Sequence, residues 1–195
     1  MLNRLKGCFL LLMVVSLSGC LGHAVTGMQL VYDRHNVFKK VNDFNIAAAT
    51  NRALYKDQAF RTGHIDVTVF NGDVLLAGQT PTASLREEAY ARAKKIPKVR
   101  RVYNELQVEP PISSAQTVND SLITAHIRAQ IVSDDDIDPN QFKVVTENGV
   151  VYLLGDVKRE QANLVVNIAR HTGGVRKVIR AFRYYTYEQP NRKLA

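Results

Sequence analysis

The sequence predicts an α+β protein made of two tandem αββαβ units, each a three-stranded mixed sheet with two helices on one face. Two observations predict this. The chain contains one short stretch twice, NGDVLLAG from Asn71 to Gly78 and NGVVYLLG from Asn148 to Gly155. A shift of about 77 residues also matches Asp43 with Asp120, Ile46 with Ile123 and Leu54 with Ile131. After a one-residue slip, Val99 to Val102 matches Val175 to Val178. Two units of about 65 residues are a tandem and not a solenoid.

The hairpins come first. Each Asn-Gly pair lies between β-rich runs, Ile65 to Phe70 before the first and Phe142 to Thr146 before the second. A two-residue hairpin turn needs φ > 0 at both central positions, which Gly adopts freely and Asn tolerates. Gly72 and Gly149 are therefore turn residues. Gly78 and Gly155 close the motif, where a glycine inside a strand marks a bulge or a close backbone approach.

Around the first hairpin, helices are expected over Asp43 to Tyr55 and Thr82 to Lys95, with a last strand over Val99 to Val108. Thr82 caps the second of these helices, Leu85, Ala89 and Ala93 form its apolar stripe, and Pro97 stops it. The second unit repeats the order. Asp120 or Ser121 caps a helix from Leu122 to Val132, a helix follows from Glu160 to His171, and a strand runs from Val175 to Tyr187.

The division expected is 1–19 leader, 20–42 acylated cysteine and tether with a short helical turn around Val37 to Val41, and 43–108 first domain. A linker at 109–119, the second domain at 120–187 and a tail at 188–195 complete it. The linker is Pro-rich at Pro110 and Pro111 and should act as a semi-rigid spacer.

The leader decides the compartment. Arg4 and Lys6 precede an apolar run from Phe9 to Val15, and Leu17-Ser18-Gly19-Cys20 ends it. That is a charged region, an apolar region and a small-residue cleavage site, a signal peptide and not a membrane span. The last four residues resemble the bacterial lipobox, in which cleavage before the Cys leaves its thiol acylated. Cys8 would leave with the leader. Acyl chains gain about 0.8 kcal/mol per buried CH₂, so several chains on Cys20 anchor firmly. Leu21 follows Cys20. By resemblance to proteobacterial lipoproteins, which stay at the inner membrane when Asp is there, this points to the outer membrane, on its periplasmic face.

The helix with Asp-x-x-Ile, the NG-V-x-L-x-G hairpin, the next helix and the Gly-Val-x-x-Val strand resemble the BON domain. Asp43 to Tyr187 resembles a pair of them. One departure is Ile96-Pro97-Lys98, where the second unit keeps Gly174 before its Val. Tandem BON domains behind a lipobox resemble outer-membrane lipoproteins of this family. The resemblance implies a periplasmic, non-enzymatic protein that binds anionic phospholipid through the first helix of its second domain and helps maintain the outer membrane.

The residues themselves carry no catalytic constellation: there is neither G-x-S-x-G nor a P-loop. His23, His35, His64, His126 and His171 lack metal-ligand spacing. The acidic run from Asp134 to Asp138 has Pro139 where an EF-hand loop needs Gly, and Val145 where it needs the bidentate Glu, so it is read as a solvated loop. No metal and no cofactor are expected.

The net charge is +8, and +8 less the charges of Arg4 and Lys6 leaves +6 on the mature chain, an excess that favours an anionic partner. Export by the leader disfavours nucleic acid.

The two first helices differ on one face. With Ile123, Ile127 and Ile131 placed against the core, Leu122, Ala125, Arg128, Ala129 and Val132 face outward. The corresponding face of the first unit is Asn45, Ala48, Asn51, Arg52 and Tyr55, with Phe44 as a further apolar exposure. An apolar patch beside a cation suits a membrane surface or another protein. There is no Trp to deepen insertion. Two arrangements are open, with the patch free or packed against the first domain.

A second positive cluster, Lys94, Lys95, Lys98, Arg100 and Arg101, is echoed by Arg170, Arg176, Lys177 and Arg180. It is read as a solvated face with an auxiliary phosphate-facing role. The function expected is an outer-membrane lipoprotein whose second domain binds anionic phospholipid. The rival is a periplasmic adaptor or chaperone that assists outer-membrane assembly proteins and touches lipid only through its anchor.

Overall fold

A computed structural model describes residues 27–185. The leader, Cys20, and the tail at 188–195 lie outside the described residues. Contacts divide the chain into two compact units, Met1–Phe38 and Lys39–Ala195. The second unit carries both sheets.

The helix α1 spans Gly27–Tyr55, so the backbone from Gly27 to Asn42 is continuous helix where a tether was expected. After a 3-10 turn at Gln58–Thr62 come β1 (His64–Phe70), β2 (Asp73–Thr80), α2 (Ala83–Lys94) and β3 (Arg101–Val108). The second half repeats this with α3 (Ser114–Ser133), β4 (Phe142–Glu147), β5 (Val150–Val157), α4 (Arg159–His171) and β6 (Lys177–Tyr184). Each sheet has its middle strand antiparallel to one neighbour and parallel to the other, in the orders β1-β2-β3 and β4-β5-β6. Two three-stranded mixed sheets with two helices each is the α+β arrangement the duplication predicts.

Periodicity explains which faces are buried. In α1 the residues Ile46, Thr50 and Leu54 recur every turn and are buried, and Thr50 returns its hydroxyl to the Ile46 carbonyl at 2.8 Å. Thr82 caps α2 as expected, accepting from the Leu85 amide at 3.2 Å. In α3 the stripe is Ile123, Ile127 and Ile131, and in α4 it is Ala162, Val165, Val166 and Ala169. Every second strand residue meets these helices: Val74 and Leu76 in the first domain, Val151 and Leu153 in the second.

The alternate strand residues form a third core. Leu75 and Ala77 pack against Tyr152, Leu154 and Ala181, so the helix-free faces of the two sheets lie against each other. Polar contacts close both ends of this seam. At one, Asn71 donates to Asp156 at 3.0 Å, and Arg183 pairs with Asp156 and lies 3.7 Å from Asp73. At the other, Gln79 donates to Glu147 at 2.6 Å and accepts from the Ile112 amide at 3.2 Å. Burial pushes the carboxyl groups of Asp73, Asp156, Glu105 and Glu147 above the usual range. The order through this second unit is helices, sheet, sheet, helices.

The turns are built alike. Asn71 and Asn148 both have φ 49°, followed by Gly72 at 81° and Gly149 at 69°. Asp43 accepts from the amides of Asn71 and Gly72 at 2.6 and 2.8 Å, and Asp120 accepts from Asn148 and Gly149 at 2.7 and 2.8 Å. From the other side, Arg100 and Arg176 donate to the carbonyls of Asn71 and Asn148. Gly78 and Gly155 are close approaches: an added Cβ would lie 2.2 Å from the His64 carbonyl and 2.7 Å from that of Gln141. The departure at Lys98 keeps the backbone of its counterpart, since Lys98 has φ 68° and Gly174 φ 86°.

Gly149→Val should destabilise the second domain by about 2 kcal/mol or more, because a β-branched residue is forced to positive φ. Its Cβ would also sit 2.9 Å from Arg176 Nε. Val150→Thr, in a half-exposed strand position, should cost much less. Urea denaturation of the two variants measures the difference, and equal midpoints would contradict it.

Candidate functional site

The candidate site is the outward face of α3. Ser113 opens the helix by accepting from the Gln116 amide at 3.2 Å. The helix therefore starts at Ser114, ahead of the expected cap at Asp120 or Ser121. Asp120 is not a cap at all. It is 3% exposed and its carboxylate holds the hairpin turn, which explains why an Asp recurs at this place in both copies.

With the isoleucine stripe buried, Leu122, Ala125, Arg128, Ala129 and Val132 are all exposed, Leu122 at 55% and Val132 at 69%. Val118, 61% exposed, joins them. Val118, Leu122, Ala125, Ala129 and Val132 are spaced four and three residues apart, so they form one continuous apolar seam along the helix. Starting the helix too late hid Val118. Arg128 flanks the seam and donates one guanidinium nitrogen to the Val144 carbonyl at 3.1 Å, which holds the side chain at the β4 edge. It is the one Lys or Arg in α3. Beyond the helix, the acidic loop folds on itself: Asp134 accepts from the Asp136 amide and Asp138 from the Asn140 amide, both at 3.0 Å.

Because the two sheets occupy each other's open faces, the first domain does not cover α3. The arrangement with the patch packed on that domain is not adopted. The equivalent face of α1 is more polar but not free of apolar groups. Asn45 and Arg52 are exposed, whereas Tyr55 turns inward and donates its hydroxyl to the Ile65 carbonyl at 3.0 Å. Phe44 is 72% exposed.

Three arginines of the second positive cluster are engaged within the fold. Arg100 lies 3.9 Å from Asp73, Arg101 stacks over Tyr103 at 5.6 Å, and Arg176 is engaged by the turn. Lys177 lines a cleft of about 280 Å³ at one end of the seam with Glu105, Glu147 and Tyr152. Burial raises the Tyr152 hydroxyl well above its ordinary pKa.

Comparison with known proteins fits this duplication, for the BON domain matches twice, at residues 42–110 and 119–185. The chain belongs to the BON-domain family. It is similar to the outer membrane lipoprotein DolP of Haemophilus influenzae, at 34% identity over 94% of this chain and 98% of that protein. It is also similar to a 21 kDa hemolysin of Actinobacillus pleuropneumoniae, at 37% identity over 67% of this chain and 68% of the relative. The osmotically-inducible protein Y of Escherichia coli is 27% identical over 78% of this chain and 77% of its own length. Among the described residues no helix is long and apolar enough to cross a membrane.

Proposed function

We propose that this BON-domain protein is an outer-membrane lipoprotein, anchored on the periplasmic face through Cys20, that binds anionic phospholipid through its second domain and supports outer-membrane integrity. It acts by binding and not by catalysis. The observation that carries the reading is the exposed apolar seam of α3 with Arg128 at its flank, on a helix whose opposite face is fully committed to the core. Leu122, Val132 and Val118 supply apolar contact at headgroup depth, and Ala125 and Ala129 let the helix backbone approach the surface closely. Arg128 supplies the charge. The similarity to an outer membrane lipoprotein over nearly its whole length supports the location.

The test uses the chain from Leu21 onward, without its acyl anchor, and vesicles of phosphatidylglycerol or of phosphatidylcholine. Binding should favour the anionic vesicles. Arg128→Glu should weaken it on the order of tenfold or more, since a juxtamembrane cation contributes about 1 kcal/mol and reversal about twice that. The loss should shrink at high salt. Asn51→Glu, on the corresponding helix of the first domain, adds negative charge too and should matter much less. Equal losses for both variants, or none, would remove α3 as the lipid site and favour a protein-binding adaptor that contacts envelope assembly proteins.

A further inference from the structure

The outer layer of the second domain holds a second feature, on the side of the layer away from α3. At the edge strand β6 and the start of α4, Arg159, Arg180, Phe182 and Tyr184 line a cleft of about 330 Å³. Its apolar wall is ordered: Phe182 is buried and meets Tyr184 edge-to-face at 6.0 Å. The Arg159 guanidinium lies over the Tyr184 ring at 4.8 Å. Neither arginine makes an ion pair among the described residues, and Arg180 is exposed. Glu160, beside Arg159 on α4, is exposed and pairs with neither. Among the described residues the cleft thus collects two guanidinium charges without a counter-charge.

The first domain supplies an internal control on the same fold. There α2 begins at Ala83 where α4 begins at Arg159. The strand position opposite Leu76 is Asn104, whereas Arg180 stands opposite Leu153, the counterpart of Leu76. Asn104 is used internally, donating to the Arg86 carbonyl at 3.0 Å. One copy of the fold therefore spends this position on its own helix, and the other turns it into a cation at the cleft.

We infer that this cleft is an anion site for a phosphate ester, with Arg159 and Arg180 clamping the phosphoryl oxygens and Tyr184 bordering the group attached to them. Guanidinium forks match phosphoryl oxygens in geometry, and two neighbouring cations suit a group of high charge density. The site is independent of the α3 seam and stands whether or not that seam binds lipid. A lipid headgroup and a soluble phosphate share this chemistry, and the experiment separates them.

The full-length acylated protein, labelled on its arginine side chains and held in neutral detergent, is titrated by NMR with inorganic phosphate and separately with dihexanoyl phosphatidylglycerol. The Nε–Hε signals of Arg159 and Arg180 should move saturably with at least one of them. Saturation by phosphate assigns a soluble phosphate, and saturation by the short-chain lipid alone assigns a headgroup. Arg159→Ala and Arg180→Asn install the first domain's residues and should each weaken binding about fivefold or more, the weight of one cation near an anion. Asn51→Glu, on the first domain, should leave it unchanged. Shifts reproduced by sodium chloride at equal ionic strength, or affinities untouched by both substitutions, would overturn the site. Should either variant fail to fold, the wild-type titration against the chloride control still decides.

Discussion

Asp120→Ala is expected to cost about 3 kcal/mol or more of stability, more than any other single change in a charged side chain of α3. Three donors converge on this carboxylate: the amides of Asn148 and Gly149 at 2.7 and 2.8 Å and Gln116 Nε2 at 2.9 Å. Hydrogen bonds to a charged group contribute about 1.5–3 kcal/mol each, and truncation leaves buried donors without a partner. The Gly149 amide is buried, so water does not replace the lost bond cheaply. The turn then loses the group that ties it to α3, and helix and hairpin separate together. Asp135→Ala, in the exposed loop, is the control and should stay within about 0.5 kcal/mol. Urea denaturation followed by far-UV circular dichroism measures both, and a similar small loss for the two would mean that Asp120 does not hold the turn.

Leu154→Ala is expected to be as damaging as Leu153→Ala, about 2–5 kcal/mol each. The two leucines are fully buried but on opposite faces of β5: Leu153 in the helix-side core, Leu154 in the seam between the sheets. If the seam is a true core, emptying it should leave a cavity of comparable cost and destabilise both domains in one transition. A loss below about 1 kcal/mol for Leu154→Ala, with Leu153→Ala costly, would show sheets that touch without close packing.

The repeat made most of the fold legible. Helical stripes identified the buried residues of α2 and α3, and the Asn-Gly pairs located both hairpins with their positive φ angles. Local signals failed at Asp120, because an Asp ahead of an apolar helical run reads as a cap whatever its carboxylate binds. Its recurrence at Asp43, with the same spacing to the Asn-Gly turn, was the available signal. Val118 was missed with the same helix start. The seam was illegible for a different reason. A strand buried on both faces, such as Val151 to Leu154, shows that both sides are covered but not by what. The Arg159–Arg180 cleft depends on a register between a helix start and a strand that no one-dimensional pattern contains.

The seam also has a consequence for symmetry. At the offset of the repeat, Leu75 and Ala77 are the counterparts of Tyr152 and Leu154, so each copy offers the same patch to the other. Between separate identical chains this would be an isologous interface, and both outer layers would be the same by necessity. A ligand for one side would then find an identical site on the opposite side, and the particle would bridge two surfaces. Joining the copies in one chain removes that constraint while keeping the interface. Ala83 and Asn104 stand on one outer layer where Arg159 and Arg180 stand on the other. Covalent fusion makes a two-sided architecture chemically one-sided.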